Sequence, residues 1–312
     1  MKLQKIVCLG FSGSELEVNY WAEIGELVDN RVLVADVKDL GDNTDADGLL
    51  VKLGAKVPKE IIDKLPDLKY IGMLGTGYGG IDTDYAASKG ITVTNIADYS
   101  TEAVAEFTFG MLIEWCRGIN RGLQLAWEGV YEDDKQGMEI KGKKFGVIGL
   151  GAIGRRTAEL AQAFGADVSY WSRNRKKDAE SKGIKYKELD ELVSSSDIIT
   201  LNLALNPDTE GTISADLLNR MKKNCIFINP SPMELIDFDA LLVRLRKEDL
   251  VFMLDHSDEM TEVQLKQLKE IARCKIYPAI AYITSEASKL KKRIYVDNIK
   301  NFLEGKPSNK VS

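Results

Sequence analysis

Histidine is almost missing from this sequence: 312 residues contain one, His256. Cysteine is scarce too, and Cys8, Cys116, Cys225 and Cys274 stand far apart in apolar settings. A zinc site needs several such ligands at short spacing, so no metal is expected. Scattered buried thiols, with no disulfide framework, fit a reducing cytoplasmic setting. Positive charge is not in excess either: 42 Lys and Arg stand against 48 Asp and Glu, a net charge of −6. That balance argues against nucleic acid or an anionic membrane as partner. No run approaches the roughly 18 apolar residues of a membrane span. The opening MKLQKIVCLGF is too short an apolar run for a signal peptide and reads as a first strand.

What the chain does have is alternation. Apolar runs KIVCLGF, RVLVADV, GLLVKL, LKYIGMLG and ITVTNIA are separated by amphipathic stretches such as ELEVNYWAEIGELVD and PKEIIDKL. A second series follows with KKFGVIGLG, ADVSYWS, DIITLNLA, CIFINP, LVFMLD and KIYPA. Strands alternating with helices imply parallel sheets covered on both faces, so the expected fold is α/β with two doubly wound domains. One long helix, TEAVAEFTFGMLIEWCRGINRGLQLAWEG, is expected to join them. Its Val104, Phe107, Met111, Ile113 and Trp115 are spread too widely for a single buried stripe, as in a helix lying between domains or subunits. The last helix, SEASKLKKRIYVDNIKNFLEG, is expected to return to the first domain. Residues 1–99 with 286–312 then form one domain and residues 100–285 the other.

Gly149, Gly151 and Gly154 follow a strand in G-x-G-x-x-G spacing, open a helix, and precede a second strand ending about 20 residues on. In that setting the first glycine permits a tight turn and the second lets a pyrophosphate approach the backbone. The third permits close helix–strand packing, and the helix start offers free N–H groups to the anion. The second strand ends in Ser172-Arg173-Asn174-Arg175, where an NAD site usually carries an acid for the ribose 2′-hydroxyl. Two arginines in place of an acid suit a 2′-phosphate, so NADP(H) is expected over NAD(H); a solvated basic run continuing through Lys176 and Lys177 is the alternative.

These passages, with LPDLKYIGMLGTGYGGIDTDYAASKGITVTN, YSTEAVAEFTFGML, DIITLNLALNPDTEGTISADLLNRMKKNCIFIN, DFDALL and TSEAS, cover nearly the whole chain. Together they resemble the D-2-hydroxyacid dehydrogenase family, especially its hydroxypyruvate and glyoxylate reductase branch. The resemblance implies a Rossmann-type dinucleotide domain inserted in a flavodoxin-like substrate domain, a small-molecule substrate, and a homodimer built around the long helix. It implies further cofactor contacts at Ala152, Ile153, Leu203, Thr209, Asn229 and Asp255. The substrate carboxylate is expected at Gly75, Thr76, Gly77 and Tyr78, a loop exposing backbone N–H groups after a strand, with Lys52 adding charge. Tyr99 and Asn202 are further polar candidates.

The family's catalytic residues are replaced. An arginine that normally holds the substrate carboxylate matches Pro232, in Asn229-Pro230-Ser231-Pro232-Met233. A supporting glutamate matches Met260, with Glu259 as a displaced equivalent. The proton-exchanging histidine matches Ala279, in Tyr277-Pro278-Ala279. His256, beside Asp255 and close to Asp258 and Glu259 at a strand end, is the candidate substitute, since a histidine near a carboxylate titrates in the right range. Two functions follow. One is an NADP(H)-dependent oxidoreductase acting on a small carbonyl or hydroxy compound through a non-standard site. The other is an inactive dinucleotide-binding homologue with a sensing or partner-binding role. A third, imine reduction or a substrate without a carboxylate, ranks below both.

Overall fold

A computed structural model describes residues 2–132 and 136–312. In chain order the elements of the first part are β1 (Leu3–Leu9), α1 (Val18–Leu27), β2 (Val28–Val34), β3 (Gly48–Lys52), α2 (Lys59–Ile62), β4 (Tyr70–Leu74), α3 (Thr83–Ser88) and β5 (Thr92–Thr94). Then come α4 (Thr101–Arg117), α5 (Ile119–Trp127), β6 (Lys144–Ile148), α6 (Ala152–Ala163), β7 (Asp167–Trp171), α7 (Lys177–Glu180), β8 (Lys185–Tyr186), α8 (Leu189–Ser195) and β9 (Ile198–Leu201). The rest are α9 (Ala215–Arg220), β10 (Cys225–Asn229), α10 (Phe238–Leu245), β11 (Leu250–Leu254), α11 (Glu262–Lys269), β12 (Cys274–Ile276) and α12 (Ser285–Leu303).

The chain divides into two compact units, Met1–Tyr99 with Ser285–Ser312, and Ser100–Thr284. The second crossing falls one residue before the sequence division because α12 already begins at Ser285. In the first unit five parallel strands lie in the order β2-β1-β3-β4-β5. β4 is buried along its whole length, so its YIGML reads as a continuous apolar run, not an alternating one. The chain order turns back after β2, and α12 covers one face: its Tyr295, Val296 and Ile299 pack with Leu3, Ile6, Cys8 and Leu50. β2 begins at Val28, earlier than expected, and ends before Asp36. There the Asp36 carboxylate accepts the Lys38 amide and starts a short 3-10 turn, which takes Val37 out of the strand.

In the second unit seven parallel strands lie in the order β12-β11-β10-β9-β6-β7-β8. The chain starts at the centre with β6, winds outward through β7 and β8, then crosses back to β9 and winds the other way. That reversal is the doubly wound dinucleotide-binding arrangement. Side-chain caps fix several helix starts: Ser214 accepts Leu217 N–H, Asp237 accepts Ala240 N–H, and Thr261 with Gln264 forms a capping box.

The expected single long helix is in fact two. Gly118 adopts a left-handed conformation (φ 59°) and closes α4 through its N–H on Glu114 O at 2.8 Å. α5 then restarts after that residue and buries none of its own. Its Ile119, Leu123 and Trp127 are 53, 50 and 82% exposed and recur every four residues on one face. The four cysteines are all buried and unpaired. Among the described residues, no helix is long and apolar enough to cross a membrane.

Candidate active site

The glycine cradle is built as its spacing requires. Gly149 follows β6 at φ +93°, and a Cβ there would lie 2.4 Å from the carbonyl oxygen of Asn202. Leu203, which closes the other side of that turn, would come within 2.8 Å of the same atom. At Gly154 a Cβ would stand 1.9 Å from Gly149 O, so only glycine lets α6 start this close to the turn. Gly151 is different: it is exposed, and no atom lies within 4 Å of a Cβ built there. No side chain of the described residues caps α6, so the amides at Ala152 and Ile153 are left to a ligand or water. An uncapped helix start behind a glycine turn with room above it fits a dinucleotide pyrophosphate.

At the end of β7 two expected donors prove to be committed. Ser172 is 9% exposed and donates through Oγ to Asn174 O at 2.6 Å. Arg175 grips Glu180 through Nε at 3.1 Å and Nη2 at 2.5 Å, and its guanidinium lies 4.8 Å over the Tyr186 ring. Both side chains shape the turn itself, Arg175 being one of the two arginines expected at a 2′-phosphate. Arg173 remains. Its ion pair with Asp208, at 3.6 Å, joins side chains 79 and 80% exposed and contributes little. Asn174 is exposed beside it.

The loop after β9 is tied by Thr209, whose Oγ1 donates to Ala204 O at 2.7 Å and accepts the Asn206 amide at 2.9 Å. Asn202 donates to Thr200 Oγ1 at 3.2 Å, while its buried Oδ1 has no hydrogen-bond partner among the described residues.

β10 ends at the proline corner. Asn229 is fully buried and turned inward: Oδ1 accepts the Ser231 amide at 3.0 Å, and Nδ2 faces Met233 Sδ at 3.5 Å. Ser231 Oγ donates to Leu201 O at 2.9 Å, tying the corner to β9. Asn229 therefore shapes the corner before it can touch a cofactor. Pro232 is partly buried, and Met233 and Leu235 of the following turn sink into the core. Residues 230–233 bring no ionisable group to this strand end. The next residue, Glu234, does.

Asp255, at the end of β11, is 1% exposed, and its Oδ1 accepts the amides of Ile280 at 3.1 Å and Ala281 at 3.2 Å. Burial pushes this carboxyl up from its ordinary value, against those backbone bonds and the nearby His256. The Asp255 carboxylate, expected as a cofactor contact, thus holds the loop that carries Ala279. His256 follows, with Nδ1 3.5 Å from Glu259 Oε1 across a short turn and no hydrogen bond to that nitrogen among the described residues. Glu259 is also pushed up, first by burial and then by the negative charges of Glu234 and Asp258, with His256 opposing. Met260 packs against the core. The structure therefore gathers His256, Asp258, Glu259 and Glu234 at one sheet end. Glu234 escaped the sequence reading because 22 residues separate it from His256; no spacing rule links them.

In the first unit, Gly75 is buried at the end of β4 while Thr76, Gly77 and Tyr78 are exposed. Thr76 Oγ1 donates to Ile96 O at 2.9 Å and Thr76 O accepts from Asn95 Nδ2 at 2.7 Å, which holds the loop open. The amides of Thr76, Gly77 and Tyr78 donate to none of the described residues. Lys52 does not serve them freely: its Nζ lies 2.9 Å from Glu15 Oε1. Burial pushes the Glu15 carboxyl up, but bonds from Lys52 and from Ser12 outweigh it and hold it at about 2.

A seven-stranded parallel sheet with a glycine cradle at its crossover defines a dinucleotide-binding fold. The chain belongs to the D-isomer specific 2-hydroxyacid dehydrogenase family, whose NAD binding domain matches residues 109–281. It is 31% identical over 307 residues to a hydroxypyruvate reductase of Blautia hydrogenotrophica, covering 93% of this chain and 92% of that one. Among solved structures it resembles an acyclic imino acid reductase (Bsp5) in complex with NADPH and D-Arg, at 27% identity and TM-score 0.84, with 99% and 100% of the two chains covered. It also resembles the D-lactate dehydrogenase of Aquifex aeolicus complexed with NAD and lactic acid, at 27% identity and TM-score 0.82, with 96% of each chain covered.

Proposed function

We propose that this protein is an NADP(H)-dependent oxidoreductase that acts on a small carbonyl or hydroxy compound through a rebuilt proton-handling site. The observation that carries the reading is the cradle: Gly149 and Gly154 stand where a Cβ would strike backbone, and Gly151 stands where it would enter open space. Exposed Arg173, with no acid at the end of β7, supports the phosphorylated cofactor over NAD(H). So does the NADPH complex of the similar imino acid reductase. When bound, the nicotinamide supplies or accepts a hydride.

The substrate oxygen or nitrogen must still gain or lose a proton, and Pro232, Met260 and Ala279 offer none. We assign that task to His256 with Glu259. Burial first, then repulsion from Glu234 and Asp258, keeps a proton on Glu259 to higher pH than usual against the pull of His256, which suits a group that returns protons to histidine. The substrate domain is the first unit, with Thr76, Gly77 and Tyr78 as anion-binding amides. The exposed Ile119, Leu123 and Trp127 face of α5 supports a homodimer, and buried free thiols suit a cytoplasmic setting.

The test is NADPH oxidation across keto acids, aldehydes and imines, comparing the wild type with His256→Ala. Turnover lost in the variant at unchanged NADPH affinity supports the assignment; equal turnover refutes it. The three apolar replacements also favour a second reading, a dinucleotide binder without turnover. That reading predicts NADPH binding and no oxidation by any compound of the panel.

A further inference from the structure

Charged residues on α12 fall into two groups. Lys292 pairs with Glu17, and Arg293 pairs with Glu23 at 2.7 Å and Asp297 at 2.9 Å. Lys291, between Leu290 and these, makes no ion pair with a carboxylate of the described residues, although it is partly buried. Its Nζ instead lies 5.6 Å from the centre of the Tyr99 ring. Burial, and then the charge of Lys292, pulls this ammonium below its ordinary pKa, as expected for a cation lacking a counter-charge.

The position of Lys291 in the first unit follows from the course of α12. Phe302 stacks near Tyr70 at the start of β4, with ring centres 4.7 Å apart. Tyr295, almost two turns earlier, reaches Gly72 O in mid-strand at 3.2 Å and stacks on Phe11, just beyond β1, at 6.5 Å. The helix therefore runs against the strands, and one more turn back, about 6 Å, brings Lys291 to their C-terminal ends. Tyr99 packs in the same cluster as Leu74 and Ile96, the residues flanking and anchoring the Gly75–Tyr78 loop. The C-terminal edge of a parallel sheet is where such domains meet ligands. Lys52, the other cation at that edge, is already neutralised by Glu15.

We propose that Lys291 is the substrate-anchoring cation of the first unit, receiving the carboxylate of a small organic acid together with the free amides of the Thr76–Tyr78 loop. The assignment rests on the oxidoreductase reading for its substrate, and it places the cation for that substrate's carboxylate on α12 and not at the Pro232 corner. An uncompensated ammonium on an aromatic face is ready for an anion at little desolvation cost, because the counter-charge arrives with the ligand.

The test uses oxamate, a small anionic keto-acid analogue, and its uncharged counterpart oxamide, titrated calorimetrically with and without NADPH. Lys291→Met should weaken oxamate by about 10- to 100-fold, the loss of one charged hydrogen-bonded contact. Lys291→Arg should recover most of the affinity, and oxamide should be indifferent to both changes. NADPH affinity should stay constant, and Lys291→Gln repeats the comparison should the Met variant not fold. Equal oxamate affinity in wild type and Lys291→Met, or no oxamate binding by the wild type in either arm, overturns the assignment. Absence of NADPH binding would instead sink the oxidoreductase reading and leave the cofactor-free oxamate arm to decide on Lys291.

Discussion

Gly151 and Gly154 lie three residues apart in one motif, yet alanine should act on them in opposite ways. At Gly154 the added methyl would sit 1.9 Å from Gly149 O and 3.2 Å from Val147 Cγ1. A carbon cannot approach a carbonyl oxygen that closely, so the start of α6 or the turn must shift by more than an ångström. Overpacking of this kind costs about 1–3 kcal/mol, and it also moves the amides that would hold the phosphate. At Gly151 the backbone is extended (φ −76°, ψ −161°), which alanine tolerates, and the space is open. Removing glycine from a helix cap costs about 1 kcal/mol or less. The methyl would, however, project where the pyrophosphate approaches, and loss of one charge-assisted contact weakens binding about 10- to 100-fold. Urea unfolding without cofactor, paired with NADPH calorimetry, separates the two effects. Gly154→Ala should lose stability and affinity together, Gly151→Ala affinity almost alone. Unchanged NADPH affinity in Gly151→Ala would refute the placement of the phosphate.

Three further outcomes are expected. Arg173→Ala should weaken NADPH about 10-fold or more and leave NADH unaffected; Arg175→Ala should show no such discrimination, because its guanidinium serves Glu180 and Tyr186. Glu15, held at about 2 against an ordinary 4.5, contributes stability that is fully present above that ordinary value and is lost as pH falls towards 2. Glu15→Gln should therefore flatten the acid side of the stability profile, read by thermal unfolding between those pH values. Leu123→Asp, on a face that buries nothing within the subunit, should convert a dimer to monomers in sedimentation velocity while cofactor-free unfolding changes little.

Much of the fold was legible because buried parallel strands write themselves as unbroken apolar runs. YIGML and CIFIN are both buried throughout. The cradle was legible because steric demand at Gly149 and Gly154 leaves glycine no substitute, so the spacing is itself the signal. β8 was missed: two residues, Lys185 and Tyr186, show no periodicity. The break at Gly118 was missed because a glycine inside an apolar pattern reads equally well as a tolerated interruption; its left-handed φ decides, and sequence does not display φ. Charge commitments were hardest to read. Lys52 looked available because its partner Glu15 is 37 positions away, brought close only when β1 and β3 pair. Ser172, at the end of an apolar strand, finds its acceptor Asn174 O only once the turn has formed.

The proposed function requires a nicotinamide cofactor to be bound although Pro232, Met260 and Ala279 stand at the positions matched to the family's arginine, glutamate and histidine. Calorimetric titration of the wild-type protein with NADPH and with NADH tests it most directly. Saturable binding of one dinucleotide per chain, tighter for NADPH, is the predicted result. No uptake of either dinucleotide would contradict it.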